Sequence, residues 1–192
     1  RKLGFVHASR KGPMIVCVDT SASMYGMPER IESSVLSLLE ETAVNLHRDC
    51  FLIDFSVSVH PVDLIEQLHQ QQLQKLGLAD RNTLLDVNER KRSDGMPFIG
   101  GGTNARKMIE AMMELLDNDG RHYVNADVLW ITDFLIPMPK KTSYLHKWDE
   151  YRKTGTRFYG LRILSSDEKC KNEWESLFHQ IYTIRYRQIK KY

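Results

Sequence analysis

The sequence has no long hydrophobic run and no excess of charge of either sign. No stretch of its 192 residues approaches the roughly 20 consecutive apolar residues that a transmembrane helix requires, and no signal-peptide pattern opens it. Its 27 Lys and Arg residues and 25 Asp and Glu residues leave a formal net charge of +2. We therefore expect no transmembrane segment, and no nucleic-acid or membrane partner attracted by overall charge.

Cysteine is also scarce. The three residues Cys17, Cys50 and Cys170 are far apart and odd in number, and the sequence contains no C-x-x-C. This excludes a disulfide framework and a cysteine-based zinc site. Two of the three lie in or beside apolar runs, where a small buried thiol is expected. The pattern predicts a reduced, cytoplasmic compartment.

The hydrophobic content of 42% suffices for one sizeable core. We predict that residues 1–12 form a basic linker, that residues 13–192 form one domain, and that residues 77–98 are an insertion loop. Because position 1 is Arg rather than Met, we expect the domain to come from a longer protein.

Apolar runs alternate with segments of helical spacing, a pattern typical of a parallel sheet clothed on both sides. Strands are predicted at 14–19, 51–56, 57–64, 127–132, 157–164 and 181–186. Helices are predicted at 29–47, 104–117, 141–154 and 172–178. The first helix should bury Ile31, Val35, Leu38, Leu39 and Leu46. Pro61 predicts that the third strand pairs antiparallel at an edge. The fold class is thus α/β, doubly wound and mostly parallel, with helices on both faces.

Oxygen-bearing side chains follow the predicted strands. Asp19, Ser21 and Ser23 come directly after the first strand, and Asp133 follows the fourth. Thr103 opens a helix after three consecutive glycines. Carboxyl ends of parallel strands meet at one edge, so these side chains should converge. An all-oxygen set suits a hard divalent cation such as Mg²⁺, with Mn²⁺ as an alternative.

The residue types also bear on function. Hydroxyl ligands are neutral, so a metal held by them keeps most of its positive charge. If the carboxylates act through water, the metal also keeps a free coordination position. Such a site should capture a carboxylate from another protein rather than catalyse a reaction. We therefore predict a non-enzymatic protein-binding module.

The motifs "DTSASM", "GGGT" and "TDF", in this order, resemble the metal-ion-dependent adhesion site (MIDAS) of von Willebrand factor A (VWA) domains. The resemblance covers about residues 13 to 187. It implies that Ser21 and Ser23 bind the metal directly, and that Thr103 does so when a ligand is engaged. It also implies that Asp19 and Asp133 anchor metal-bound waters. The sequence departs from the family pattern at Ala22 and at Phe134, and we expect Phe134 to lie on the rim where a ligand lands.

Within this family, "KGPMIVCVDTSASM" and the ending "RYRQIKKY" resemble bacterial ViaA-type and CoxE-like proteins. That resemblance implies an adaptor for a MoxR-class AAA+ ATPase that supplies an Asp or Glu to the metal. The 77–98 insertion departs from the ViaA pattern.

Three other interpretations remain open. In the first, Asp19 and Ser23 are helix caps and Asp133 is a turn residue, with no metal. In the second, Asp19 is the nucleophile of a metal-dependent phosphotransferase or hydrolase, although Ser21 stands where a D-x-D motif needs aspartate. The sequence also lacks the nucleotide P-loop and the G-x-S-x-G elbow. In the third, the basic carboxyl terminus binds nucleic acid through Arg185, Arg187, Lys190 and Lys191.

Overall fold

The computed structural model describes residues 11–54, 62–63, 105–117, 125–138 and 142–187. Within these ranges the chain forms one six-stranded sheet. The strands are β1 (Met14–Val18), β2 (Cys50–Asp54), β3 (Val62–Asp63), β4 (Asp127–Thr132), β5 (Arg157–Ser165) and β6 (Gln180–Tyr186). The helices are α1 (Met27–Asn45), α2 (Ala105–Leu116) and α3 (Thr142–Lys153). Short 3-10 helices lie at Ala22–Met24 and Glu175–Leu177.

The strand order is β3-β2-β1-β4-β5-β6, the order of a doubly wound sheet. Five strands run parallel, with β1 between β2 and β4. The two residues of β3 pair antiparallel with β2 at the edge. The remainder of the predicted strand 57–64 lies outside the described residues. The doubly wound α/β class predicted from the alternation of strands and helices is confirmed.

Helices cover both faces of the sheet. On one face, α1 packs against a cluster that includes Val16, Leu52 and Ile131. On the other face, α2 and α3 cover a larger cluster around Trp130 and Trp148, which are each at most 1% exposed. Successive side chains of a strand alternate between these two clusters, which explains why β1 reads as a continuous apolar run. Every side chain of β1 is buried.

Most predicted elements appear within a few residues of their expected bounds, but the buried face of α1 was partly wrong. Leu38 is 61% exposed and Leu46, which follows the helix, is 53% exposed. The helix instead buries Leu36 and Ala43. The apolar residues of α1 define two overlapping faces of the helix. The face that packs against the sheet is the one centred near Leu39.

Cys17 and Cys50 are buried, as expected, Cys170 is exposed, and none of the three forms a disulfide. Burial raises the pKa of Cys17 well above its usual range. The Cys17 side chain therefore stays a protonated, unreactive thiol within the core. No helix among the described residues is long and apolar enough to cross a membrane. The predicted linker (1–12, of which 11–12 are described) and insertion (77–98) fall largely or wholly outside the described ranges, and both stay predictions.

Candidate metal centre

The candidate site lies between β1 and β4, at the point in the sheet where the strand order reverses. From β1 the chain proceeds to β2 on one side, whereas β4 on the other side leads to β5. Crossover connections therefore leave β1 and β4 in opposite directions, which opens a crevice at their carboxyl ends. Asp19 directly follows β1 and Asp133 directly follows β4. The fold thus brings together two of the side chains that the sequence singled out.

Asp19 is the most buried carboxylate of the site, at 0% exposure. Its Oδ1 accepts a hydrogen bond from the Ser21 backbone N–H (2.9 Å), and its Oδ2 accepts one from the Thr132 hydroxyl (2.6 Å). The Asp19 backbone N–H donates to the Ile131 carbonyl (2.9 Å), which ties β1 to β4 at this end. Both carboxylate oxygens are therefore fixed in direction.

The electrostatics of Asp19 favour a cation nearby. Burial raises the pKa of Asp19, and the charge of Asp133 raises it further. The hydrogen bonds from Thr132 and Ser21 oppose this by lowering the pKa. A divalent cation beside both carboxylates would stabilise their ionised forms.

The Ser21 and Ser23 hydroxyls are hydrogen-bonded to each other, with their oxygens 3.0 Å apart. Two adjacent ligands of an octahedral Mg²⁺, each at 2.0–2.1 Å from the ion, are separated by about 2.9 Å. The pair therefore already has the spacing that two neighbouring octahedral positions require. Ser21 is 8% exposed and Ser23 is exposed, so the pair faces the open edge of the sheet.

The helix-cap interpretation of these residues is not supported by the contacts. The N-cap of α1 is Gly26, and the side chain of Ser21 makes no cap hydrogen bond to the 3-10 helix that follows it. Asp19 does bond to the Ser21 N–H, so it is a turn residue as well as a candidate ligand anchor.

Residues 133–138, which we call the β4 loop, carry Asp133. Asp133 is 6% exposed and its Oδ1 accepts a hydrogen bond from the Leu135 N–H (2.8 Å). Phe134 was expected on the rim of the site, and this was wrong, because its side chain is 0% exposed. Its backbone has a φ of 57°, which turns the side chain down into the core while Asp133 stays at the edge.

Two further residues at this end of the sheet, Thr132 and Thr20, make hydrogen bonds that the sequence motifs did not predict. Thr132, the last residue of β4, is fully buried and bonds to Asp19. Thr132 lies on the same strand face as Trp130. A hydroxyl on a buried face needs a hydrogen-bond partner, so the sequence could have predicted that Thr132 bonds to a neighbouring polar side chain. The Thr20 hydroxyl donates to Asp54 Oδ1 (2.6 Å) at the end of β2, which ties the first loop to a third strand.

Four of the five candidate residues thus lie on two adjacent loops: Asp19, Ser21, Ser23 and Asp133. Thr103, the fifth, lies outside the described residues, although α2 begins two residues later at Ala105. Across the described ranges, no group of three or more His, Cys, Asp or Glu side chains is placed to hold a metal. The four candidate side chains offer hydroxyl and carboxylate oxygens, the donor atoms that hard divalent cations prefer.

No family model matches the sequence. The structure is similar to proximal thread matrix protein 1 from the mussel byssus in two crystal structures, with TM-scores of 0.57 and 0.58 at 17% identity. In the second of these the MIDAS motif is occupied by zinc. The similarity spans 91% of this chain but only 43% and 44% of the mussel protein, so the chain covers less than half of that relative. An aerotolerance-related membrane protein from Bacteroides fragilis matches at a TM-score of 0.44 and 14% identity, over 79% of this chain and 67% of that one. The mussel protein supports the VWA fold predicted from the motifs, and at this identity it bears on the fold alone.

Proposed function

We propose that this chain is a Mg²⁺-dependent protein-interaction module of the VWA type, with Mn²⁺ as an alternative metal. The observation that carries the proposal is the 3.0 Å separation of the Ser21 and Ser23 hydroxyls beside two buried carboxylates. Ser21, Ser23 and Thr103 would bind the metal, and Asp19 and Asp133 would hold its waters.

The role of each residue follows from its charge and its existing contacts. Both oxygens of Asp19 already accept hydrogen bonds, and Asp133 Oδ1 accepts one from Leu135. Such carboxylates are suited to orienting metal-bound water. Neutral hydroxyl ligands leave the ion electron-poor, and it would bind an acidic side chain strongly. The ligand is therefore an Asp or Glu of a protein partner.

The partner that we favour is a MoxR-class AAA+ ATPase, for which the chain would be an adaptor in the bacterial cytoplasm. This rests on the resemblance of the sequence motifs to ViaA-type and CoxE-like proteins. Because the chain spans less than half of the mussel relative, a segment elsewhere in a longer protein is a second source of the acidic residue.

Absence of catalysis is part of the proposal. The rival interpretation uses Asp19 as a nucleophile in a phosphotransferase or hydrolase. A nucleophile needs an oxygen that can reach a substrate, whereas Asp19 is 0% exposed with both oxygens engaged. Nucleic-acid binding through the basic carboxyl terminus is likewise disfavoured at Arg185. Its guanidinium donates to the backbone carbonyls of Ser165 and Glu168 and so is partly consumed within the fold.

The test is a pull-down with an immobilised MoxR-class ATPase, in Mg²⁺ or in EDTA, with wild type and Thr103→Ala. Binding should require Mg²⁺ and should be lost with Thr103→Ala. Thr42→Ala is the matched control, since it also removes a threonine hydroxyl, one that donates to the Leu38 carbonyl within α1. Capture that survives both EDTA and Thr103→Ala would place the interface elsewhere and contradict the proposal.

A further inference from the structure

The Phe134 ring anchors the β4 loop to the hydrophobic core. The ring is fully buried and lies with its centroid 5.4 Å from that of Phe178 and 6.4 Å from that of Trp130. The Arg162 guanidinium lies over it at 5.5 Å. Arg162 is itself held by Glu175 and by the Lys171 carbonyl. The ring thus has a defined seat of aromatic and cationic neighbours.

Gly160 on β5 provides the room for this ring. A Cβ at position 160 would lie 2.7 Å from Phe134 Cζ and 3.2 Å from Phe134 Cε2. It would also lie 3.0 Å from Ile181 Cγ1, so the strand on the other side offers no space. Any side chain at position 160 would therefore displace the ring from its seat.

The backbone of Phe134 is connected to the candidate ligands by hydrogen bonds. The Phe134 N–H donates to the Thr132 hydroxyl oxygen (3.2 Å), and that hydroxyl donates to Asp19 Oδ2. The next amide, of Leu135, donates to Asp133 Oδ1. Displacement of the ring would move these two amides, and with them the directions of both carboxylates.

The conformation of Phe134 indicates that the ring holds the loop. A φ of 57° costs a non-glycine residue about 1 kcal/mol or more, and glycine would adopt it without this cost. An aromatic residue stays there because burial of its ring offsets the strain. The loop is consequently held in one conformation. A glycine at position 134 would let the loop adopt several conformations.

We propose that Phe134 and Gly160 are positioning residues that fix the Asp133 and Asp19 carboxylates for metal binding before the metal arrives. The inference rests on the proposed function, since it assigns the two residues a part in the affinity of that same site. A held loop loses less conformational freedom when the ion binds, so the ring raises affinity without touching the metal.

The test compares Gly160→Ala, Phe134→Leu and the double variant with wild type, by Mn²⁺ titration followed by electron paramagnetic resonance. Gly160→Ala should raise the Kd for Mn²⁺ about tenfold, which corresponds to about 1.4 kcal/mol. In the Phe134→Leu background, whose shorter side chain leaves room for the added methyl, the same change should alter Kd less than about twofold. This non-additivity is the signature of a shared contact.

Phe158→Leu is the control for loss of packing alone. Phe158 is fully buried on β5 and packs against Trp148, with 4.5 Å between the ring centroids. It should lower the urea midpoint and leave Kd for Mn²⁺ within about twofold. If Gly160→Ala lowers the urea midpoint but leaves Kd unchanged, the positioning role is refuted.

Hydrogen exchange in EDTA separates failure of this inference from failure of the proposed function. Gly160→Ala should accelerate exchange of the Leu135 amide more than that of the Trp130 amide within β4. If wild type binds no Mn²⁺, the proposed function fails and the exchange data still decide whether the ring holds the loop. Unchanged Leu135 exchange in Gly160→Ala would overturn the anchoring in either case.

Discussion

Replacement of Asp19 by asparagine should affect the protein in opposite directions with and without metal. Without metal, Asp19 is a fully buried carboxylate whose pKa is raised by burial and by Asp133. Asparagine has nearly the same shape, keeps one acceptor oxygen and removes the buried charge. We expect metal-free Asp19→Asn to be more stable than wild type by about 0.5–2 kcal/mol, the usual gain when a functional-site constraint is relieved.

The gain converts to a melting temperature through the size of the chain. For a domain of 150–250 residues, 1 kcal/mol shifts Tm by about 2–4 °C, so the variant should melt roughly 1–8 °C higher in EDTA. Metal at a hundredfold excess over Kd stabilises wild type by about 2.7 kcal/mol. That is roughly 5–11 °C, and the variant should gain none of it.

The assay is thermal unfolding of both proteins in EDTA and across a Mg²⁺ series, followed by circular dichroism. The order of the two Tm values should reverse as Mg²⁺ is added. If Asp19→Asn is several degrees less stable than wild type in EDTA, Asp19 is chiefly a structural acceptor for Ser21 and Thr132. That result would refute the electrostatic reasoning.

Three further predictions follow from individual contacts. Since the folded pKa of Asp19 is raised, the folded state binds its proton more tightly, so the associated stability is present below the unfolded pKa of about 3.9 and is lost as pH rises. The stability gap between Asp19→Asn and wild type in EDTA should therefore widen as pH rises above about 4 in urea titrations, and a flat gap would show that the pKa is not raised. Thr132→Val removes the donor to Asp19 and the acceptor for the Phe134 N–H, so it should lower the free energy of unfolding by about 1.5–3 kcal/mol in urea titration and weaken Mn²⁺ binding. Unaltered metal affinity would show that the hydroxyl is structural only. Asp127 lies at the amino end of β4, away from the candidate site, and Asp127→Asn breaks its ion pairs with Arg48 (2.7 Å) and Arg157 (2.9 Å). The variant should also lose about 1.5–3 kcal/mol in the free energy of unfolding but keep the Kd for Mn²⁺. A shift in Kd would mean that metal binding depends on general stability.

The sequence predicted the elements well because their signals are local. The strand at 127–132 has its expected bounds, since its apolar centre, Val128 to Ile131, is flanked by Asp127 on one side and by Thr132 and Asp133 on the other. The proximity of two candidate side chains was predictable for a related reason. Parallel strands bring their carboxyl ends to one edge, so Asp19 and Asp133 converge whatever the rest of the core does.

What the sequence did not reveal depends on packing between distant strands. Phe134 was placed on the rim because it stands in the "TDF" motif at a position where many members of the resembled family have glycine. Its burial depends on the space left by Gly160, 26 residues later in sequence, and on a positive φ that no local pattern announces. Leu38 was misplaced because spacing alone defines a stripe but does not show which stripe meets the sheet.

A divalent cation bound between the loops that follow β1 and β4 can be located in crystals grown in MnCl₂ and measured at the manganese absorption edge. We expect one anomalous peak per chain, within about 2.0–2.3 Å of the Ser21 and Ser23 hydroxyl oxygens, and no peak at this position in Asp19→Asn crystals. The absence of a peak in wild type, or a peak bound only by residues elsewhere on the surface, would show that these loops do not form the metal site.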